Sequence, residues 1–322
     1  MIDFRGNGGT VYALAIQGGG AKGSFGVGVV ETLCTEAWKQ RGGMGVPLER
    51  ERHPFDVVGG TSIGATIAAA IAPGDWRSVR RAVSIFTDNV FRDGAAVYRK
   101  PAAWWLRFAP WWKSDRPSLW DADAARGLIR RYIEYDRARW SDVSLIIPAL
   151  DMVTGRILYL PERFTQEELE RFTYGSAAFP FLFQPVPHGG AVLVDAGVVE
   201  ATPFAGVVKE AVRRARVDGR ERITVVVVLH SRLKDELAEA PRTLFDMGKR
   251  LASLALREIA RNDLGRVNDR NALATQGGDF RTVDVWIVEP ETHLGDSMDF
   301  KQARMLARYE AGKQAALKVR KL

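Results

Sequence analysis

Two short stretches of this chain of 322 residues combine a reactive side chain with the backbone it would need. Gly60-Thr-Ser62-Ile-Gly64 fits the G-x-S-x-G pattern, in which a serine sits at the apex of a strained strand-to-helix turn with its hydroxyl projecting freely. Gly60 and Gly64, two positions either side, keep that turn clear of side chains where the strand folds back on the helix. Phe55-Asp-Val-Val precedes the turn as a short apolar strand, and an Ala/Ile-rich helix follows it up to Pro73-Gly74. That helix begins at Ile63 and offers unpaired N–H groups and a positive dipole end to a developing oxyanion. The chemistry implied is nucleophilic attack by Ser62 on an ester carbonyl. The plain alternative is a Gly/Ser connection with no chemical role, since a five-residue pattern is loose.

Gly18-Gly-Gly-Ala-Lys-Gly23 follows the apolar strand Thr10–Gln17 and satisfies G-x-G-x-x-G. A dinucleotide site would carry an acidic residue about 20 positions on, and Trp38-Lys-Gln-Arg-Gly-Gly-Met-Gly45 contains none. Consecutive glycines also expose neighbouring backbone N–H groups to an anion. The N–H groups of Gly19 and Gly20, reinforced by Lys22, would cradle the charge that forms when Ser62 attacks.

Ser62 also needs a base. The four histidines are His53, His188, His230 and His293, and Ser62, Asp195 and His230 stand in the chain order of an ordinary hydrolase triad. None of the histidines lies in a recognisable motif. Asp195 closes a short apolar strand in the turn Asp195-Ala-Gly197, at the strand end where α/β sheets do their chemistry. An aspartate there equally suits a turn-forming role. Residue types alone leave the base open.

The elements that must hold these groups alternate. Strands are expected at 10–17, 55–58, 144–150, 156–160, 191–194, 223–229 and 283–288. Val27, Val30, Cys34 and Trp38 mark a helix after the glycine loop, and Val79, Val83 and Phe86 another over Asp75–Phe91. A capping box at Thr165–Glu168 opens a further helix, Thr243–Asn262 is an amphipathic helix, and Phe300–Val319 closes the chain. Ile223–Leu229 is the continuous β-branched run of a strand buried on both faces. The pattern predicts an α/β three-layer sandwich, a mostly parallel central sheet with helices on both faces. A single domain over 1–322 is expected: a motif-bearing core at about 11–205, a Trp-rich basic insertion or lid at 92–120, and C-terminal strands and helices over 206–322.

Composition narrows the class. The apolar stretch Ile63–Ala72 falls well short of the roughly 18 residues of a membrane span. The N-terminus lacks the apolar region of a signal peptide, which predicts a cytoplasmic protein. The lone Cys34 excludes an internal disulfide or a cysteine-based zinc cluster. No metal-binding pattern is present, and neither metal nor cofactor is expected. The formal charge is +7. Between Arg77 and Arg116 nine Arg/Lys face only Asp88, Asp93 and Asp115, and the overlapping stretch Arg92–Trp120 holds Trp104, Trp105, Trp111, Trp112 and Trp120. Arg/Lys with Trp is the usual means of holding a protein on an anionic bilayer, so Trp104, Trp105, Trp111 and Trp112 are candidate membrane contacts, with a core cap or lid as the alternative.

Gly18–Gly23, Gly60–Gly64 and Asp195–Gly197, in this order, resemble the three signatures of the patatin-like phospholipase family. Ser176-Ala-Ala-Phe-Pro180 through Phe183-Gln-Pro-Val186 resembles the run before that family's aspartate. The resemblance implies a patatin-like α/β sandwich and a Ser–Asp dyad without histidine. Ser62 would be the nucleophile, Asp195 the base, and Gly19, Gly20, Lys22 and Ile63 the oxyanion hole, framed by Gly18, Gly23, Gly60, Gly64 and Gly197. It implies a phospholipid or lysophospholipid substrate and an acyl-Ser62 intermediate, with no nucleic acid. Two positions depart from the family pattern: Lys22 replaces the usual Arg, losing its bidentate fork, and Ala196 puts a β-carbon where a glycine is usual. The alternatives are a catalytically weak patatin-like scaffold that binds membranes or partners, and a nucleotide-binding protein using Gly18–Gly23.

Overall fold

The computed structural model describes residues 2–5, 8–95, 97, 123–233 and 283–322, with scattered helical positions between 247 and 265. Trp104, Trp105, Trp111 and Trp112 lie outside the described residues, as does most of the helix expected over 243–262.

A six-stranded sheet forms the centre, in the order β10 (Arg320–Lys321), β9 (Val283–Val288), β8 (Arg222–Val228), β1 (Thr10–Ile16), β2 (Val57–Gly60), β3 (Ser144–Ile146). Every pairing is parallel except β10 on β9. Alternation along β1 explains the layers. Val11, Ala13 and Ala15 point to one core with Phe204, Val207 and Ala211 of α7 (Phe204–Val217). Tyr12, Leu14 and Ile16 point to the other, because successive strand side chains face opposite sides. There they meet α1 (Gly23–Gln40), α2 (Ile63–Ile71) and α3 (Trp76–Thr87). α2 is apolar all round and its residues from Gly64 onward are buried, as a helix wedged between sheet and outer helices must be. Mostly parallel sheet and helices on both faces are as expected from sequence.

A second, antiparallel sheet runs β5 (Ile157–Tyr159), β4 (Pro148–Asp151), β7 (Ala191–Asp195), β6 (Val186–His188). The strand expected over 144–150 is therefore two strands. It leaves the central sheet at Ile147 and enters the second at Pro148. Proline has no N–H to donate and restricts the residue before it, so the ladder changes partners there. Simple apolar periodicity does not reveal such a break. The second sheet carries α6 (Gln166–Ala177), opened by the expected capping box of Thr165 with Glu168.

Other boundaries shift modestly. The helix expected over 75–91 is α3, capped by the Asp75 side chain on the Ser78 N–H at 3.0 Å. It stops at Thr87, and the chain to Gly94 runs in turns. Two helices follow, α4 (Asp123–Tyr132) and α5 (Tyr135–Arg139). The last helix, α8 (Gln302–Ala316), is followed by the short strand β10, which was not expected. No described helix is long and apolar enough to cross a membrane.

Candidate active site

Strand register brings the two glycine motifs together. Ile16 at the end of β1 pairs with Gly60 at the end of β2, so the loops that leave these strands emerge side by side. Such a crevice beyond the carboxyl ends of parallel strands is where open α/β sheets bind ligands. Ser62 holds φ 57°, ψ −125°, a strained backbone for a residue with a side chain. A β-carbon at Gly60 would stand 2.0 Å from the Gly64 carbonyl, and one at Gly64 2.5 Å from the Ile16 carbonyl. Both glycines are thus dictated by backbone contact. The Ser62 N–H donates to Ser176 Oγ at 3.1 Å, across from α6.

The glycine loop closes on the serine from the β1 side. A β-carbon on Gly18 would lie 3.0 Å from the Ser62 β-carbon, and one on Gly23 2.6 Å from the Ile63 side chain. Gly18 N–H donates to Ala201 O and Ala21 N–H to Ser297 O. Between them, the N–H groups of Gly19 and Gly20 have no acceptor among the described residues, nor does that of Ile63. Free donors beside a serine hydroxyl could stabilise an oxyanion. Lys22 caps α1 and lines the same cavity.

Asp195 arrives from the second sheet, at the end of β7, with its N–H held by the Ala178 carbonyl at 3.0 Å. Its Oδ1 accepts from the Gly197 N–H at 2.7 Å, and the Ser62 side chain hydrogen-bonds the carboxylate. Burial pushes its pKa up to about 7, against the downward pull of the Gly197 N–H and of Ser62. Ala196 has an ordinary negative φ and lies in a single 3₁₀ turn. The β-carbon that departs from the family pattern is therefore accommodated without backbone strain.

His230 does not reach Ser62 as a triad member would. It follows β8 on the far side of the glycine loop, where its N–H donates to Gln17 Oε1 at 2.7 Å and its Nδ1 stands 3.3 Å from the Gly18 carbonyl. Burial pushes its pKa down to about 3, and the Lys22 charge acts in the same direction. The ring is a neutral backing for the loop: a β-carbon on Gly19 would meet it at 3.0 Å. His53 is buried elsewhere, against the Ile71 carbonyl.

Ser62, Asp195 and the glycine loop open into one cavity of about 650 Å³. Its other walls are mainly apolar: Ile85, Phe91, Ile129, Phe183, Met298 and Phe300 among them. Phe91 and Val97, at the start of the basic insertion, also line it. Sequence reasoning missed Ser176 as the partner of the Ser62 N–H, and Gln17, His230 and Ser297 as supports of the loop. Ser176 lies 114 residues from Ser62, and no local pattern links two such positions. Among the described residues no cluster of His, Cys, Asp or Glu is arranged to hold a metal ion.

The patatin-like phospholipase family model matches residues 14–208, which contain Ser62, Asp195 and the glycine loop. No curated protein matches the chain. Among solved structures, VipD from Legionella pneumophila is similar at 12% identity and a TM-score of 0.39, over 97% of this chain and 68% of that one. With more than half of its length matched by the family model, the chain belongs to the patatin-like phospholipases, a family of lipid acyl hydrolases.

Proposed function

We propose that this protein is a serine lipid acyl hydrolase that cleaves carboxylic ester bonds of phospholipids or lysophospholipids through an acyl-Ser62 intermediate. The observation that carries this reading is the buried Asp195 carboxylate hydrogen-bonded to the Ser62 side chain at the wall of a largely apolar cavity. A general base works best with a pKa near the working pH, and burial lifts Asp195 to about 7. The Ser62 oxygen attacks the acyl carbon as Asp195 takes its proton. The N–H groups of Gly19, Gly20 and Ile63, with Lys22 close by, receive the oxyanion. Collapse passes the proton from Asp195 to the departing alcohol and leaves the acyl chain on Ser62. Water then attacks the acyl-enzyme, with Asp195 again accepting the proton.

A fluorophosphonate probe tests the assignment. Labelling at Ser62 should vanish in Ser62→Ala and fall steeply in Asp195→Asn. Labelling that survives Asp195→Asn but requires the His230 imidazole for proton removal would overturn the dyad. Absence of labelling and of ester hydrolysis would favour a binding scaffold. Peripheral contact with an anionic bilayer through Trp104, Trp105, Trp111 and Trp112 belongs to the same proposal and rests on composition alone. It requires the tryptophan emission to shift on adding anionic vesicles, and to stop shifting when the four are replaced.

A further inference from the structure

α3 and α4 form a partition with two unlike sides. Towards the catalytic cavity they present Ile85, Ile129 and Tyr132. On the other side lies an open recess of about 440 Å³ walled by Arg77, Arg80, Arg81 and Ser84 of α3 and Arg131 and Tyr132 of α4, with Glu49 at its edge. Positions 77, 80, 81 and 84 follow helical spacing, so three guanidinium groups and a hydroxyl share one face. Tyr132 faces both spaces.

The charges in this recess do not balance. Arg77 and Arg81 both lean on Glu134, at 3.3 and 3.4 Å, and that carboxylate is already held by Arg137 at 2.6 Å. Arg80 and Arg131 have no carboxylate partner among the described residues; Arg131 lies only against the Tyr132 ring. With Glu49 counted, the recess keeps a surplus of positive charge on planar groups that pair with phosphate oxygens two at a time.

We propose that this recess binds a phosphoryl group, and that its ligand is the phosphate of an amphiphile whose acyl chain occupies the cavity beyond Tyr132. The choice of an amphiphile rests on the lipid-hydrolase reading; the phosphoryl site itself rests only on the arginines. The recess would then select anionic phospholipids over neutral glycerides by holding the headgroup on the arginines beside Tyr132, the residue that lines both spaces.

The test uses full-length Ser62→Ala protein, so that nothing is turned over. Its binding of dihexanoyl phosphatidic acid, dihexanoylglycerol and inorganic phosphate is measured by calorimetry, with and without Arg80→Gln plus Arg131→Gln. Both arginines are exposed and lack carboxylate partners among the described residues, and the double variant's circular dichroism melt checks that it folds. Phosphatidic acid should bind at least tenfold more weakly to the double variant, and dihexanoylglycerol equally to both. Arg320→Gln, away from the recess, should change neither. Inorganic phosphate binding as tightly as the lipid, with the same arginine dependence, would support the phosphoryl site and assign it to free phosphate. Phosphatidic acid binding that changes by less than twofold, or does not occur at all, overturns the proposal. Failure of the parent protein to label at Ser62 while arginine-dependent binding persists in Ser62→Ala would overturn the hydrolase reading alone.

Discussion

Gly18 and Ser62 are packed so closely that a β-carbon on the glycine would stand 3.0 Å from the β-carbon of the serine. Nothing on the serine side can yield cheaply, because the elbow is fixed between the Gly64 and Ile16 backbones. Gly18→Ala should therefore displace Ser62 relative to the donors of Gly19 and Gly20 by a fraction of an ångström or more. Misplacements approaching 1 Å cost on the order of 10²-fold in rate, so kcat/KM for a soluble ester should fall by at least tenfold while the protein remains folded by circular dichroism.

The raised pKa of Asp195 sets a pH profile. In the proposed mechanism the carboxylate must be ionised to take the proton from Ser62, and burial holds it at about 7. kcat/KM should rise with pH through about 7 and level off above it. A steady-state profile that is already flat at about pH 5 would count against Asp195 as the base.

The same carboxylate lowers stability. Between about pH 4 and 7 the folded protein keeps a proton that the unfolded chain has lost, since the ordinary value is 3.8 and the folded value about 7. The contribution of Asp195 to stability therefore falls as pH rises through that window, and its penalty is complete above it. Asp195→Asn removes the penalty. Urea unfolding should find the variant more stable than the parent at about pH 8, by about 4 kcal/mol, with the difference disappearing below about pH 4.

Ser176 is buried, and its Oγ accepts the Ser62 N–H at 3.1 Å. Ser176→Ala leaves that N–H without its partner at a strained turn. An unsatisfied buried donor costs about 1–3 kcal/mol. Thermal unfolding should register a loss in that range, and fluorophosphonate labelling of Ser62 should slow, because the elbow loses its tie to α6.

Two buried histidines oppose Asp195 on acidification. Burial pushes His53 down to about 4 and His230 to about 3. Below about pH 6.5 the unfolded chain takes protons that the folded protein refuses, so each histidine's contribution is lost as pH falls. Two such protons outweigh the one that Asp195 contributes in the other direction. Around pH 5 to 6 stability should therefore fall by about 1 kcal/mol for each unit by which the pH is lowered. His53→Gln, away from the active site, should bring that slope close to zero in urea titrations.

Local chemistry made much of this protein legible in its sequence. The Ser62 turn needs glycines at 60 and 64 because backbone atoms occupy the space of their side chains, and that requirement is written in five consecutive residues. The capping box at Thr165 and Glu168 and the β-branched run of β8 are equally local, and each lies where its pattern places it. Alternating strands and helices gave the sandwich, because apolar faces can be buried in few ways.

What the sequence could not decide depends on contacts between distant segments. Whether Asp195 or His230 stands beside Ser62 is set by the chain's change of sheet at Ile147 and Pro148. The second sheet thereby delivers Asp195 to the serine, while β8 carries His230 behind the glycine loop. The pKa of Asp195 is likewise a property of its enclosure rather than of its neighbours in the chain. The Ser62 turn was determined by residue types and spacing; the carboxylate that hydrogen-bonds Ser62, and its raised proton affinity, arise only from packing.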